Sequence, residues 1–401
     1  MSEWKEVRLG DICNIFGRIG FRGYTINDLV SSKDDGAISL SPTNIIDGEI
    51  NVDKCSYISW NKYYESPEIM IFKNDILIVK TGSSYGRTAL VKEVKHQMTI
   101  NPQFVVLKNI NINPIYLSYY IKSKTFQNQI SSIVVGSAIP TLSQKNLANL
   151  YLKIQGSQTQ QEIAGILSSL DAKIETNNKL NEKLEEMAQA IFKSWFVDFE
   201  PFKDKPFHET ELGMIPEGWE VGSLSDIATI TMGQSPCGTS YNENGEGIIF
   251  YQGRTEFGFR FPSIRLYTTA PSRFAEVGST LMSVRAPVGD INMALLRCCI
   301  GRGVASIKSN CDCDSYIYYL MKSLKKRFDI YNGEGTVFGS VGRDTLRGML
   351  ITIPPSSVIS DFEMNISKID SRIKTNELES QRLAYLRDTL LPRLMSGELI
   401  V

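Results

Sequence analysis

One short polar motif occurs twice in the chain, once in each half. The hexamer KIETNN begins at Lys173, and RIKTNE begins at Arg372, which is 199 residues further along a chain of 401. Both hexamers place a Thr-Asn pair in the middle of a charged stretch that otherwise has the pattern of a helix. Because an internal repeat governs the whole fold where one is present, this recurrence constrains every later inference.

Further identities extend the repeat over nearly the whole chain. The identical pairs at the offset of 199 include Leu147 with Leu346, Asp171 with Asp370, Ile174 with Ile373 and Leu184 with Leu383. The offset is 200 upstream, where IYLSYYIKS corresponds to SYIYYLMKS, and 215 near the start, where Trp4 corresponds to Trp219. An offset that changes indicates a duplication whose second copy has lost loop residues. The sequence therefore predicts one unit present twice, with pseudo-two-fold symmetry.

Each copy has a globular part and a helical part. Strand-like runs such as DILIVK and TLMSVR, separated by Gly, Ser, Asn and Pro turns, predict mixed α/β domains over residues 1–155 and 214–355. Long helices are expected within 156–200 and 356–401, with a linker at 201–213 after the first. The predicted fold class is therefore α+β, with two mixed α/β domains separated by two long antiparallel coiled-coil helices.

The helical parts carry a heptad pattern. Apolar residues follow one another in steps of four and three, as in Ile163, Leu167, Leu170 and Ile174. About 40 residues at 1.5 Å each give a rod of roughly 60 Å. Two such rods that touch across a pseudo-two-fold axis run antiparallel and send the globular domains to opposite ends.

The two Thr-Asn pairs fall at the midpoints of these rods. Asn177 and Asn376 are therefore predicted to meet close to the axis and to set the register of the helices. A buried Asn in an apolar seam costs stability, and it disfavours slipped pairings because these leave its amide without a partner. The alternative is that both amides lie on a solvated face, since the neighbouring seam is also polar.

Composition excludes several classes of protein. Two His residues and seven Cys residues without zinc spacing leave little material for metal or triad chemistry. The charged N-terminus lacks a secretory signal and no run of eighteen apolar residues occurs, so a cytoplasmic protein without a membrane partner is expected. The net charge of -1 hides a basic stretch, because residues 251–302 carry seven Arg against three acidic residues. Such a stretch suits nucleic acid.

Four segments, in this order on a duplicated frame, resemble the specificity subunits of type I restriction-modification systems. The segments MSEWKEVRLGDI (1–12) and ELGMIPEGWEVGSLSDI (211–227) look like the starts of the family's two target-recognition domains. The segments AQAIFKSWFVDFEPF (188–202) and LRDTLLPRLMSGEL (386–399) resemble the end of its central helix and its C-terminal helix. The resemblance covers nearly the whole chain.

This resemblance implies a DNA-binding subunit with no catalysis and no cofactor of its own. Each globular domain would read one half of a split, asymmetric site in double-stranded DNA, and the helices would set the gap between the halves. The implied partners are two methyltransferase subunits and, for cleavage, two restriction (translocase) subunits. S-adenosylmethionine, ATP and Mg²⁺ are expected in those partner subunits.

Two Gly-rich turns after strand-like runs are the candidate DNA-binding segments. Each joins a cation to glycines that let the backbone approach a phosphate, and FYQGRTEFGFR (250–260) adds side chains that suit adenine and guanine edges. The alternative is a tight structural turn with solvated cations. The predicted DNA-binding residues are Lys80, Thr81, Gly82, Ser83, Ser84, Tyr85, Gly86 and Arg87 in the first domain, and Gln252, Arg254, Arg285, Gly289, Asp290 and Arg302 in the second.

An aromatic group at the end of the first long helix is the candidate partner interface. Trp195, Phe196 and Phe199 would await methyltransferase subunits, or they would pack in the core of the neighbouring domain. Both alternatives remain open from the sequence.

Three competing functions are less well supported. A nuclease would use Asp75 with Glu93 and Lys95, but the repeat counterpart of Asp75 is Ser279 and no such set follows it. A methyltransferase would need a Gly-rich cofactor loop and an NPPY-like tetrad, neither of which occurs. A stand-alone regulator with two DNA-binding heads is the better rival, and it predicts tight DNA binding by the isolated chain.

Overall fold

Strands and short helices alternate along the first domain. The computed structural model describes residues 4–18, 20, 23–46, 48–134, 140–332 and 339–401. The strands of this domain are β1 (Lys5–Arg8), β2 (Asn14–Phe16), β3 (Leu29–Val30), β4 (Gly36–Leu40), β5 (Ile45–Ile46), β6 (Glu49–Ile50), β7 (Ser56–Ser59), β8 (Ile76–Val79), β9 (Thr88–Leu90), β10 (Met98–Ile100), β11 (Phe104–Lys108) and β12 (Tyr151–Ile154). Its helices are α1 (Leu9–Ile12), α2 (Trp60–Tyr64), α3 (Pro114–Lys122), α4 (Lys124–Ile133) and α5 (Gln144–Ala148).

The second domain follows a long helix, α6 (Ser157–Phe196), and precedes another. Its strands are β13 (Phe207–Thr210), β14 (Gly213–Pro216), β15 (Glu220–Ser223), β16 (Ala228–Met232), β17 (Tyr241–Asn242), β18 (Ile248–Tyr251), β19 (Leu266–Thr268), β20 (Phe274–Ala275), β21 (Thr280–Ser283), β22 (Ile291–Met293), β23 (Cys298–Ile300), β24 (Val304–Ser309) and β25 (Leu350–Ile353). Its helices are α7 (Leu224–Ile227), α8 (Asp314–Ser323), α9 (Lys325–Asp329) and α10 (Arg343–Arg347), and α11 (Ser356–Ser396) ends the chain.

The strand pairing repeats between the two domains. In the first domain β1 pairs with β12, and one sheet has the order β2-β11-β8-β9. In the second, β15 pairs with β25, and the corresponding sheet has the order β16-β24-β21-β22. The register also repeats, because Lys5 faces Ile154 and Glu220 faces Ile353. Lys5 and Glu220 differ by the offset of 215, and Ile154 and Ile353 differ by the offset of 199, as the sequence predicts. The mixed α/β class and the duplication are therefore confirmed.

The second sheet of each domain has diverged more than the first. Its order is β10-β4-β7-β3 in the first domain and β17-β19-β18-β23-β20 in the second. Both sheets keep a parallel pair, β10 with β4 and β23 with β18, within an otherwise antiparallel arrangement. The two domains therefore share a frame, while the segments between the shared strands differ in length and content.

The chain separates into two compact units, each of which includes parts of both long helices. The first unit combines Met1–Glu175 with Gln381–Val401, and the second unit is Thr176–Ser380. Each long helix therefore contributes one part to each unit. The physical reason is burial, because the apolar seam of each helix is covered by domain residues rather than by the other helix alone.

The first unit shows this burial directly. Ile163 and Leu167 of α6 and Leu394 of α11 are fully buried in one core with Tyr116 and Phe126. Each buried aliphatic side chain of this kind contributes roughly 1.5–3 kcal/mol of transfer free energy. The end of the chain thus completes the core of its first domain.

The predicted linker at 201–213 carries regular structure. Phe202 is buried in the core of the second unit, and β13 pairs with β14 just beyond it. A segment with a buried ring and a hairpin does not act as a free connection.

The described residues contain no helix with the length and hydropathy of a membrane span.

Within each unit the two long helices run antiparallel. In the first unit, the Arg387 guanidinium donates to Asp171 at 2.6 Å, and Gln155 donates to the Leu394 carbonyl at 2.8 Å. Gln155 lies two residues before α6, so as the residue number rises from there into α6, it falls on α11. The same order appears in the second unit through the asparagine contacts described below.

Candidate nucleic-acid interface

The first predicted loop, Lys80–Arg87, is the connection of a β-hairpin. It joins β8 to β9, which are antiparallel neighbours. The Gly86 N–H donates to the Val79 carbonyl at 2.9 Å, and the Gly82 N–H donates to the Pro140 carbonyl at 3.1 Å. Both glycines have positive φ, +94° at Gly82 and +81° at Gly86. This left-handed region explains the need for Gly at both positions.

The side chains of this hairpin differ in how far they reach solvent. Ser83 and Arg87 are exposed, while Thr81, Ser84 and Tyr85 are half-buried. Lys80 is also half-buried, and burial lowers the pKa of its ammonium group. Arg87 and Ser83 are thus the residues of the hairpin that a ligand reaches most directly.

The second predicted loop occupies the equivalent place in the second domain. Residues Val284–Asp290 join β21 to β22, which are again antiparallel neighbours. The Gly289 N–H donates to the Ser283 carbonyl at 2.9 Å, as Gly86 does to Val79. The Ala286 N–H donates to the Gly339 carbonyl at 3.1 Å, which matches the bond made by Gly82.

This correspondence places residues of opposite charge at the same position. Since Gly86 corresponds to Gly289, Arg87 corresponds to Asp290. Asp290 forms an ion pair with Arg254 and accepts a hydrogen bond from Lys325 at 3.1 Å. The two hairpins therefore share a backbone and differ in the chemistry that they present.

Three segments of the second domain converge beside its hairpin. The Val284 N–H donates to the Gly303 carbonyl at 3.0 Å, and the Gly303 N–H donates to the Gln252 carbonyl at 3.2 Å. Gln252, Arg285 and Arg302 are exposed on these adjoining segments. The structure thus brings all six residues predicted in this domain together: Gln252, Arg254, Arg285, Gly289, Asp290 and Arg302.

Each hairpin borders a cleft in its own unit. The cleft of the second unit has a volume of about 700 Å³, and its charged lining residues are Arg254, Asp290, Lys322 and Lys325. The cleft of the first unit has a volume of about 820 Å³, and its charged lining residues are Arg87, Lys122, Asp171, Arg387 and Asp388. Both clefts therefore combine cations with carboxylates, and Arg254, Lys325 and Arg387 are paired with lining Asp residues.

The structure adds a segment that the sequence analysis missed. The Asn101 N–H donates to the Leu40 carbonyl at 2.9 Å, and the Gly301 N–H donates to the Tyr251 carbonyl at 2.8 Å, so the two bonds are equivalent. The residues that follow Leu40, from Ser41 to Thr43, therefore take the place of Gln252–Arg254. The signal in the sequence is the offset of 200 that relates Asn101 to Gly301. Each of these residues lies beside a strand that pairs in parallel, β4 or β18, and the residues after those two strands are the equivalent segments.

Asn177 and Asn376 are buried in the second unit, at 1% and 0% exposure. The Asn177 amide donates to Glu379 at 2.8 Å and lies 3.3 Å from the Ser380 hydroxyl and 3.4 Å from the Asn376 carbonyl. The Asn376 amide donates to the Asn181 side-chain oxygen at 2.8 Å.

These amide contacts follow the repeat. The offset of 199 converts Asn177 into Asn376 and Asn181 into Ser380. It therefore exchanges the Asn177–Ser380 contact with the Asn376–Asn181 contact. Within the second unit, the amides of the two copies are therefore paired reciprocally. Asn181 is the additional buried amide that the sequence analysis did not assign to the register.

The three aromatic residues predicted as a partner interface lie in or against the core of the second unit. Phe196 is buried, with its ring centroid 5.0 Å from those of Tyr316 and Phe362. Trp195 and Phe199 are half-buried and pack on the same core. This packing favours the core alternative, because seam positions at the end of α6 face the domain that follows.

The charged residues of the nuclease alternative form ion pairs that do not join Asp75 to Glu93 or Lys95. Asp75 is buried and binds Lys108 at 2.7 Å, and burial raises the pKa of its carboxyl despite that cation. Glu93 and Lys95 form an exposed ion pair with each other. In the described part of the chain, no group of three or more His, Cys, Asp or Glu residues is arranged to hold a metal ion.

The chain contains two sheet domains of one design. Each domain has a hairpin of different chemistry and is followed by a long helix, and this arrangement defines a duplicated recognition protein. A family model described as the type I restriction modification DNA specificity domain matches residues 1–186. The "Putative type I restriction enzyme MjaX specificity subunit" of Methanocaldococcus jannaschii is 30% identical over 415 residues, covering 100% of this chain and 94% of the relative. The HindI specificity subunit of Haemophilus influenzae is 24% identical over 482 residues and covers 100% of both chains.

A solved structure supports the fold. The S subunit of a type I restriction-modification system from M. genitalium has a TM-score of 0.60 with 16% identity, covering 98% of this chain and 96% of that subunit. Because the M. jannaschii relative is 30% identical over the whole chain, the chain belongs to the family of type I restriction-modification specificity subunits, which recognise DNA and carry no catalytic site.

Proposed function

We propose that this chain directs a type I modification complex to a split, asymmetric DNA site, with one half read by each sheet domain. The hairpins Lys80–Arg87 and Val284–Asp290 would enter the major groove, joined by Ser41–Thr43 and Gln252–Arg254. Cations on these segments would bind phosphates for register, and their amides, hydroxyls and guanidinium groups would read base edges.

One observation carries the proposal. The two hairpins have the same backbone bonds but place Arg87 and Asp290 at the same position. A carboxylate accepts from the cytosine amino group, whereas an arginine donates to guanine acceptors. Two domains that share a frame and differ at this position would read different base sequences, which makes the complete site asymmetric.

The long helices would act as a spacer and as the support for partner subunits. An antiparallel pair would hold the two domains at a fixed separation and so set the gap between the half-sites. The proposed partners are two methyltransferase subunits and, for cleavage, two restriction subunits. S-adenosylmethionine, ATP and Mg²⁺ would be bound by those partners, and the complex would work in the cytoplasm on cellular DNA.

Methylation-aware sequencing tests this function. DNA is compared from cells that express the methyltransferase partner with and without this chain. We expect one split, asymmetric motif to be methylated only when the chain is present. An unchanged pattern of methylation in cells that contain both proteins would contradict the proposal.

Binding by the isolated chain separates this function from that of a two-headed regulator. A regulator binds its site tightly without a partner. For a specificity subunit, we expect sequence-specific binding to strengthen strongly when the methyltransferase is added. The measurement is DNA affinity by fluorescence anisotropy with and without the partner, at one fixed salt concentration.

A further inference from the structure

Arg260 connects one domain to both long helices through a buried side chain. The residue is 1% exposed and lies between Arg254 and β19. Its guanidinium forms an ion pair with Glu185 of α6 and another with Asp370 of α11, the latter at 2.8 Å. It also donates to the Tyr319 hydroxyl of α8 at 2.6 Å.

The electrostatics of this site favour the charged guanidinium. Burial disfavours the charge, but the facing rings and carboxylates more than offset that cost and raise the pKa of Arg260 above its ordinary value. The guanidinium carbon lies 4.1 Å from the centroid of the Tyr318 ring. Lys322 donates to the second oxygen of Glu185 at 2.5 Å, so that carboxylate has two cationic partners.

The backbone of the same segment holds the strand that follows the second hairpin. The Met293 N–H donates to the Arg260 carbonyl at 2.9 Å, and the side-chain amide of Asn292 donates to the Gly258 carbonyl at 2.9 Å. Asn292 and Met293 belong to β22, which continues directly from Val284–Asp290. The segment Gly258–Arg260 therefore joins the hairpin strand to α6 and α11.

In the first unit, a link between the segment after the hairpin strand β9 and α6 is exposed to solvent. Lys92, which follows β9, binds Glu49 of β6 at 2.8 Å and Glu175 of α6 at 3.1 Å. All three side chains are more than two-fifths exposed. Exposed ion pairs of this kind restrain the positions of the segments that they join only weakly. A buried guanidinium that binds two carboxylates allows those segments few relative positions.

We propose that Arg260 is a positioning residue for DNA recognition by the second domain. It fixes β22, and with it the hairpin Val284–Asp290, relative to the helix pair, so that the hairpin meets its half-site in one defined position. Small displacements matter, because a recognition group about 1 Å out of place loses much of its effect. The proposal rests on the proposed function and adds a residue that does not itself touch DNA.

The test uses the complete modification complex in cells. Arg260→Met is compared with two control variants, Arg297→Met at a surface ion pair of the same domain and Lys92→Met at the exposed link of the first unit. Methylation-aware sequencing gives the motif for each. The second domain's half is marked by whichever of Gln252→Ala, Arg285→Ala and Arg302→Ala, made singly, changes the motif. For Arg260→Met we expect that same half to relax, with discrimination against single mismatches falling roughly tenfold or more. The other half and both controls should keep the wild-type motif.

A second variant allows for misfolding. Arg260→Met leaves the buried Glu185 carboxylate and the part-buried Asp370 carboxylate short of a cation, which destabilises the domain. Arg260→Met combined with Glu185→Gln and Asp370→Asn removes those charges, and its assembly is checked by the amount of purified complex. The same relaxed half-site, together with faster hydrogen exchange in β22, supports the proposal.

Three outcomes would overturn it. An assembled triple variant with the wild-type motif would do so. A uniform loss of methylation in both variants, with the motif unchanged, would show a structural role only. A wild-type complex that methylates no split motif would overturn the proposed function itself, and this proposal with it.

Discussion

Among single residues, Glu377 carries a charge that is sensitive to pH near neutrality. Burial raises the pKa of its carboxyl from an ordinary 4.5 to about 7, although Arg260 beside it acts in the opposite direction. The folded state therefore favours the protonated acid. The stabilising contribution of Glu377 is fully present below about pH 4.5 and is lost as the pH rises through about 7.

We expect Glu377→Gln, which mimics the neutral acid, to remove part of the pH dependence of stability. Between pH 6 and pH 8 the wild-type second unit should lose on the order of 1 kcal/mol more than the variant. Thermal unfolding at the two pH values measures this difference. The exposed Glu182→Gln on α6 is the control, and an unaltered pH dependence in Glu377→Gln would contradict the expectation.

Arg285 tests the role of the second hairpin at the same scale. Its side chain is exposed beside Gln252 and Arg302. If it contacts a phosphate, Arg285→Ala should lower DNA affinity for all sequences and reduce the salt slope by about 1. If it contacts a base, the variant should lose roughly 1–3 kcal/mol of preference at one position.

Fluorescence anisotropy of the complex, at several salt concentrations and with mismatched sites, separates these outcomes. Arg297→Ala is the matched control, because Arg297 pairs with Glu276 on the surface of the same domain. Wild-type affinity, slope and preference in Arg285→Ala would exclude this residue from the interface.

The long helices show how far local sequence pattern predicts structure. Heptad spacing predicts helices within 156–200 and 356–401, and the structure has them at Ser157–Phe196 and Ser356–Ser396. Such prediction succeeds because apolar residues three and four apart line one face of a helix regardless of the rest of the chain.

Contacts between distant segments lie beyond that kind of pattern. Arg260 is counted in the sequence as one of seven arginines in a basic stretch, yet its carboxylate partners lie 75 and 110 residues away. The aromatic group at Trp195 is ambiguous for the same reason, since only the fold shows which domain covers it. The duplicated frame was accessible because its identities are directly comparable within one sequence.

The buried asparagines test the register of these helices. The Asn177 and Asn376 amides keep their partners only in the observed pairing, so slipped registers leave buried polar groups unpaired. We expect Asn177→Leu combined with Asn376→Leu to permit additional registers, and the complex to accept DNA sites with more than one gap length. Methylation-aware sequencing reports the gap.

Asn178→Leu provides the matched control, because Asn178 is the exposed neighbour of Asn177. That variant should keep the wild-type gap. A double leucine variant that still methylates only the original spacing, at undiminished specificity, would show that other contacts set the register.

Across the whole molecule, the two copies share their strand pairing and differ in the side chains on their recognition segments. Strand pairing, hairpin bonds and part-buried Tyr-Asp contacts recur, since Tyr119 binds Asp171 and Tyr319 binds Asp370. The cation beside each Asp differs in origin. It comes from α11 as Arg387 in the first unit and from the domain itself as Arg260 in the second. One helix pair can therefore support two domains whose recognition segments vary independently.

The end of the chain completes a core that begins more than two hundred residues earlier. Leu394 and Met395 are buried with Leu152 and Ile154 of β12, and Gln155 donates to the Leu394 carbonyl.

We therefore expect Leu394→Ala to destabilise the first unit by roughly 2–5 kcal/mol, although it lies at the far end of the sequence. Hydrogen exchange should accelerate in β12 and α3 while β25 and α8 keep wild-type protection, because the second unit has its own core. Ile400→Ala, at a residue 85% exposed, should change neither unit. Equal acceleration in both units would show that the chain unfolds as one cooperative body.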